Sequence, residues 1–76
     1  MKLKVGDWVW IKPEFYDQVF YGQRNPATGT FFLVVKTHRL SLFPVRIACN
    51  GDILLCQERE VGGSLNETIR EVLDEP

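Results

Sequence analysis

Only two of the 76 residues are cysteine and only one is histidine. Two thiols cannot form the disulfide framework of a small secreted domain, and Cys49 and Cys56 with a lone His38 do not have the spacing of a structural zinc site. Metal and cofactor are therefore not expected. Long apolar runs are missing too. The opening "MKLKVGDW" alternates apolar residues with Lys and Asp, which is unlike a secretory signal, and nothing reaches the length of a membrane span. The expectation is a cytoplasmic chain with reduced thiols and no membrane. There is no phosphate-binding loop, because Gly62-Gly63 lacks the following Lys-Ser/Thr. Repeats and low-complexity stretches are also absent.

A chain of this length holds one domain, residues 1–76, and its core must be thin. Hydrophobic residues make up 45% of it, including nine aromatics, so packing alone has to hold it together. The net charge of −1 disfavours strong non-specific nucleic-acid binding. It conceals an asymmetry. Residues 1–46 carry seven Lys/Arg against three acids, a balance of +4, while residues 47–76 carry two Arg against seven acids, a balance of −5. A basic face on the first half is still allowed.

Strict alternation over residues 2–12, "KLKVGDWVWIK", predicts a strand with Leu3, Val5, Val9 and Ile11 on one face and Lys4, Trp8, Trp10 and Lys12 on the other. Gly6-Asp7 marks a bulge or bend, and Pro13, which cannot donate to a ladder, implies that the strand ends there or lies at an edge. Residues 14–29 have no clean period and read as a long loop or irregular hairpin anchored by some of its aromatics. Residues 30–38, "TFFLVVKTH", form a second strand, apolar on both faces. In "FPVRIACNGDILLCQ", Asn50-Gly51 predicts a two-residue hairpin turn. That turn would pair Cys49 with Asp52, Ile47 with Leu54 and Val45 with Cys56. "EREVGG" holds a short strand or a 3₁₀ turn. Residues 64–75 read as a helix: Ser64 and Glu67 form a capping box, and Leu65, Ile69, Val72 and Leu73 form an apolar stripe.

The hairpin register separates the two cysteines by about four residues at ~3.3 Å each, too far for a disulfide. His38 could serve a nucleophilic site only beside Cys49 with Asp52 behind it, and no spacing demands that arrangement. No catalytic residue is assigned, and the chain is not expected to be an enzyme. The acids on and before the helix read as a solvated face. Aromatic and basic residues of the first half are the candidate partner-binding set: Trp8, Trp10, Phe15, Tyr16, Phe20, Tyr21, Arg24, Lys36 and Arg39. Several of these rings are also candidates for the core.

"KVGDWVWIK", then an aromatic loop, then "FFLVVK", then "PVRIACNGDILLC" and "EREV", resembles the small SH3-like barrels over about residues 2–61. These include Tudor and KOW-type modules, retroelement integrase C-terminal domains and a small stromal protein of photosystem I. A short barrel with a following helix is also similar to the hydrogenase-maturation chaperones. Their cysteine after the initiator Met is replaced here by Lys2, so that function is not carried over. The resemblance implies a mainly β fold, a five-stranded, bent antiparallel SH3-like barrel over residues 2–62; the C-terminal α-helix, which the minimal barrel lacks, is expected to pack on it.

The expected function is a small non-enzymatic interaction module that binds a protein or peptide through the aromatic loop face. Two alternatives stand beside it. One is a nucleic-acid-binding domain using Lys4, Lys12, Lys36, Arg39 and Arg46. The other is a homodimer, or a small component of a larger complex, with Trp8/Trp10 or Phe32/Val34 as its interface. The helix stripe is expected to cover at least one of the two tryptophans.

Overall fold

Asn50 and Gly51 adopt positive φ angles of 51° and 84°, the pair of conformations that a two-residue type I′ turn requires. The turn joins β3, Val45–Cys49, to β4, Asp52–Cys56. The register is the expected one, with Cys49 opposite Asp52, Ile47 opposite Leu54 and Val45 opposite Cys56. The computed structural model describes residues 3–67 and 69. Three further strands complete the sheet: β1, Trp8–Ile11; β2, Phe31–Thr37; and β5, Val61–Ser64.

All ladders are antiparallel, and the strand order is β4-β3-β2-β1-β5. β2 is shared. Its first half pairs with β1 (Trp8 with Leu33, Trp10 with Phe31), and its second half pairs with β3 (Val34 with Ile47, Lys36 with Arg46). The register shifts between Val34 and Lys36, and such an irregularity bends a strand where it occurs. A second break lies at the start of β1, where Gly6 donates its N–H to Val34 O and Asp7 O accepts from Val34 N–H. Two residues thus face one, as Gly6-Asp7 suggested. The turn before it is closed from both sides by Asp7, whose N–H donates to Lys4 O and whose Oδ2 accepts from Lys4 N–H at 3.0 Å. The first strand is accordingly shorter than the alternation implied.

Among the described residues the fold is mainly β, with five antiparallel strands in one sheet and a short helix, and the sheet is not closed into the barrel expected from the sequence: β4 and β5 remain its two edges. β5 has only four residues and runs straight into a helical turn at Leu65, so it presents a short edge.

Residues 14–29 depart from the expected loop. Pro13–Phe15 form a 3₁₀ turn with proline at its first position, and Tyr16–Val19 form a single helical turn, α1. Helical spacing puts Tyr16, Val19 and Phe20 on one face, and all three are buried. Phe20 joins Tyr16 edge-to-face at 5.1 Å and Phe32 at 5.3 Å. Around them lie Val9, Ile11, Val34, Val45, Ile47, Cys49, Cys56 and Val61. A 3₁₀ turn, Glu58–Glu60, precedes β5. Gln57 N–H donates to Glu60 Oε1 at 2.7 Å, which gives the buried glutamate a backbone partner.

The expected C-terminal helix begins as predicted. Ser64 Oγ accepts from Glu67 N–H at 3.2 Å, and residues 65–67 and 69 are helical. Leu65 is half-buried and Ile69 exposed. Val72 and Leu73 lie outside the described residues. Among the described residues, no helix is long and apolar enough to cross a membrane.

Candidate functional site

The two tryptophans of β1 share a face and have different fates. Trp10 lies across the glycine pair of β5. A Cβ added to Gly62 would overlap its six-membered ring, and one added to Gly63 would come within 2.9 Å of its Nε1. Gly63 is paired with Trp10 across the β1–β5 ladder, so the bare backbone of β5 serves as a seat for the indole. Trp10 is half-buried, with the β5 glycines against its indole; the expected cover by the helix stripe rests in part on Val72 and Leu73, outside the described residues. Trp8, two residues earlier, has Leu33 opposite it and remains 47% exposed. The sequence carried a signal for this seat in Gly62-Gly63, which reads more naturally as a break before the helix.

The other candidate residues divide in the same way. Tyr16 and Phe20 are core residues, with Phe20 only 1% exposed. That corrects their place in an accessible aromatic face: the helical turn that α1 adds turns both rings inward. Phe15 is half-buried, and the Arg59 guanidinium sits 5.6 Å from its ring centre, so the 3₁₀ turn before β5 covers one of its faces. Tyr21 follows Phe20 directly and is 88% exposed, and Arg24 is exposed beside it in sequence. The loop that carries them is pinned by Gln23 Nε2 to Asp52 Oδ2 at 3.0 Å, by Asn25 Nδ2 to Asp17 Oδ1 at 3.2 Å and by the Tyr16 hydroxyl to Ala27 O at 3.3 Å. Phe32 and Val34, considered above as a dimer interface, both face the core. Of the surfaces considered for self-association, the exposed Trp8 remains.

Lys36 and Arg39 are exposed at the far end of β2. Lys36 stands directly opposite Arg46, and Arg46 directly opposite Leu55. His38 continues this end of the ladder by donating its N–H to Pro44 O at 2.7 Å. Arg46 first, then loss of solvation, then Lys36 hold the His38 imidazole below its ordinary value, so this end of the sheet is positively polarised.

The thiols lie elsewhere. Both are free and buried. Burial, then the nearby Glu60 carboxylate, pushes Cys56 up to about 12. Burial, then Asp52, raises Cys49. His38 adjoins the start of β3 and Cys49 ends it, about 13 Å apart at four residues of strand rise. The structure does not bring Cys49 and His38 together. Among the described residues, no group of three or more His, Cys, Asp or Glu side chains could hold a metal ion. No family model, curated protein or solved structure matches the chain.

Proposed function

We propose that the chain is a small non-enzymatic interaction module of SH3-like type that binds a protein or peptide partner. Five short antiparallel strands bent about one shared strand are in keeping with the SH3-like resemblance of residues 2–61. The observation that carries the functional reading is the exposure of Trp8 and Tyr21. Each lies next to a fully buried neighbour, Val9 and Phe20, in a domain whose core has few large side chains to spare. Aromatics of this kind are the usual anchors of a protein interface, where an amphipathic ring buries a large area for little loss of side-chain freedom. Arg24 adds a charged group in the same loop as Tyr21.

The test is chemical-shift mapping of the full chain against partners captured from the native host. The expected footprint includes Trp8, Tyr21 and Arg24. A footprint confined to residues 64–76 would sink the reading. Sedimentation at several concentrations separates it from self-association through Trp8, for which the sedimentation coefficient would rise with concentration.

A further inference from the structure

We propose that the surface where the outer face of β3 and β4 meets the loop between β2 and β3 is a docking site for an acidic, aliphatic peptide segment of a partner protein. This rests on the interaction-module reading and goes beyond it, by naming a second surface and the chemistry of its occupant.

The first ground is a like-charge pair. Lys36 and Arg46 are directly opposite each other on neighbouring strands, an arrangement that costs stability because the two cations repel. The third residue in that row is Leu55, which offers no compensating charge. Arg46 also keeps its Nε buried without a hydrogen-bond partner. A native fold tolerates such a like-charge pair most readily where a ligand relieves it. A carboxylate neutralises the pair through charge-assisted contacts with the two cations. The chain supplies none nearby in sequence: residues 18–51 contain no Asp or Glu.

The second ground is apolar. Leu40 is 99% exposed and Leu42 85%, with Phe43, Ile53 and Leu55 also exposed. The loop is held by backbone bonds from His38 and Ser41, and Phe43 N–H donates to Ser41 Oγ at 3.1 Å; none of these bonds buries an aliphatic side chain. Lys36, Arg46 and Leu55 in one row, with Arg39, Leu40 and Leu42 on the loop that follows β2, therefore bring cations and aliphatic groups to one end of the sheet. Base stacking needs ring faces, and Phe43 is a single ring among these mostly aliphatic exposed side chains, so nucleic acid fits less well. An anionic membrane calls for a larger basic cluster, of about four to eight Lys or Arg. An extended peptide can lie along the face, placing carboxylates at Lys36, Arg39 and Arg46 and aliphatic groups on Leu42 and Leu55.

The experiment titrates the full chain with a short fluorescein-labelled peptide of alternating glutamate and leucine. Controls replace glutamate by glutamine or leucine by serine, and parallel titrations use oligouridylate and vesicles of equimolar phosphatidylserine and phosphatidylcholine. The expected result is binding of the glutamate–leucine peptide with amide shifts at Lys36, Arg39, Leu42, Arg46 and Leu55. Either control peptide, and either Arg46→Gln or Leu42→Ser in the protein, should weaken it by roughly tenfold. Leu42 is almost fully in water, so Leu42→Ser keeps the test valid if Arg46→Gln disturbs the sheet. Shifts centred on Trp8 and Tyr21 would overturn this surface and leave the module reading standing. Binding of oligouridylate or vesicles, but not peptide, with sensitivity to the same variants would overturn the occupant. If no probe binds, the site is overturned, and mapping with captured partners judges the module reading separately.

Discussion

The connections at the two ends of β2 are both rich in apolar residues, and they treat them in opposite ways. Residues 12–30 wind through a 3₁₀ turn and α1, which point Tyr16, Val19 and Phe20 at the core. Residues 38–44 have no such element, and Leu40 and Leu42 stay in water. A repeated turn gives side chains a common direction, and only a common direction lets a short segment bury several of them at once. The first connection is thus part of the core, while the second stays outside it.

The largest expected effect breaks this contrast directly. Phe20→Ala should cost about 3–5 kcal/mol, because it removes the ring that joins Tyr16 to Phe32 and leaves a cavity. Leu40→Ala should change stability by less than about 0.5 kcal/mol. Urea denaturation of the two variants checks both; equal losses would mean that the loop is not the open element described above.

A second prediction concerns the tryptophan seat. Gly62→Ala places a methyl group where the Trp10 indole lies and should cost about 1–3 kcal/mol. The tryptophan emission should shift to the red as Trp10 is displaced. Trp10→Phe in the same chain should recover part of the loss, and a double-mutant cycle measures that coupling.

Next comes the alkaline limb. The folded pKa of Cys56 is raised above the ordinary thiol value of 9.0, to about 12. Below pH 9 both folded and unfolded thiols are protonated, and the stability associated with the shift is fully present. Above it, the unfolded chain loses a proton that the folded chain keeps, so stability should fall from about pH 9 toward pH 12. Cys56→Ala should flatten that slope in denaturation curves measured across the interval, and both thiols should resist alkylation at pH 8.

The smallest effect is at the start of the helical turn. Ser64→Ala removes the acceptor for Glu67 N–H and should cost about 1 kcal/mol, read as a lower thermal midpoint.

Much of the sheet was legible because its signals are local. Asn50-Gly51 names its own turn, and the alternation of Val45, Ile47 and Cys49 names the buried face of β3. Gly6-Asp7 announced the bulge, and Ser64 with Glu67 the helical turn. The 14–29 segment was not legible, since its helical period spans only Tyr16, Val19 and Phe20, too short to stand out from a loop. The candidate site was legible in composition and less so in selection: Trp8, Tyr21 and Arg24 are at the surface, Tyr16 and Phe20 are not, and Arg59 sits over Phe15.

The sequence by itself determined where the chain turns and which strand faces are apolar, because those depend on neighbours within a few residues. Tertiary structure alone decided which tryptophan is covered. Trp8 and Trp10 are equivalent in any local pattern. They differ because β5, some fifty residues further along, pairs with β1 and brings its two glycines under one indole and not the other. It also set Lys36 beside Arg46, ten residues away, by choosing one register out of those that the two strands could adopt.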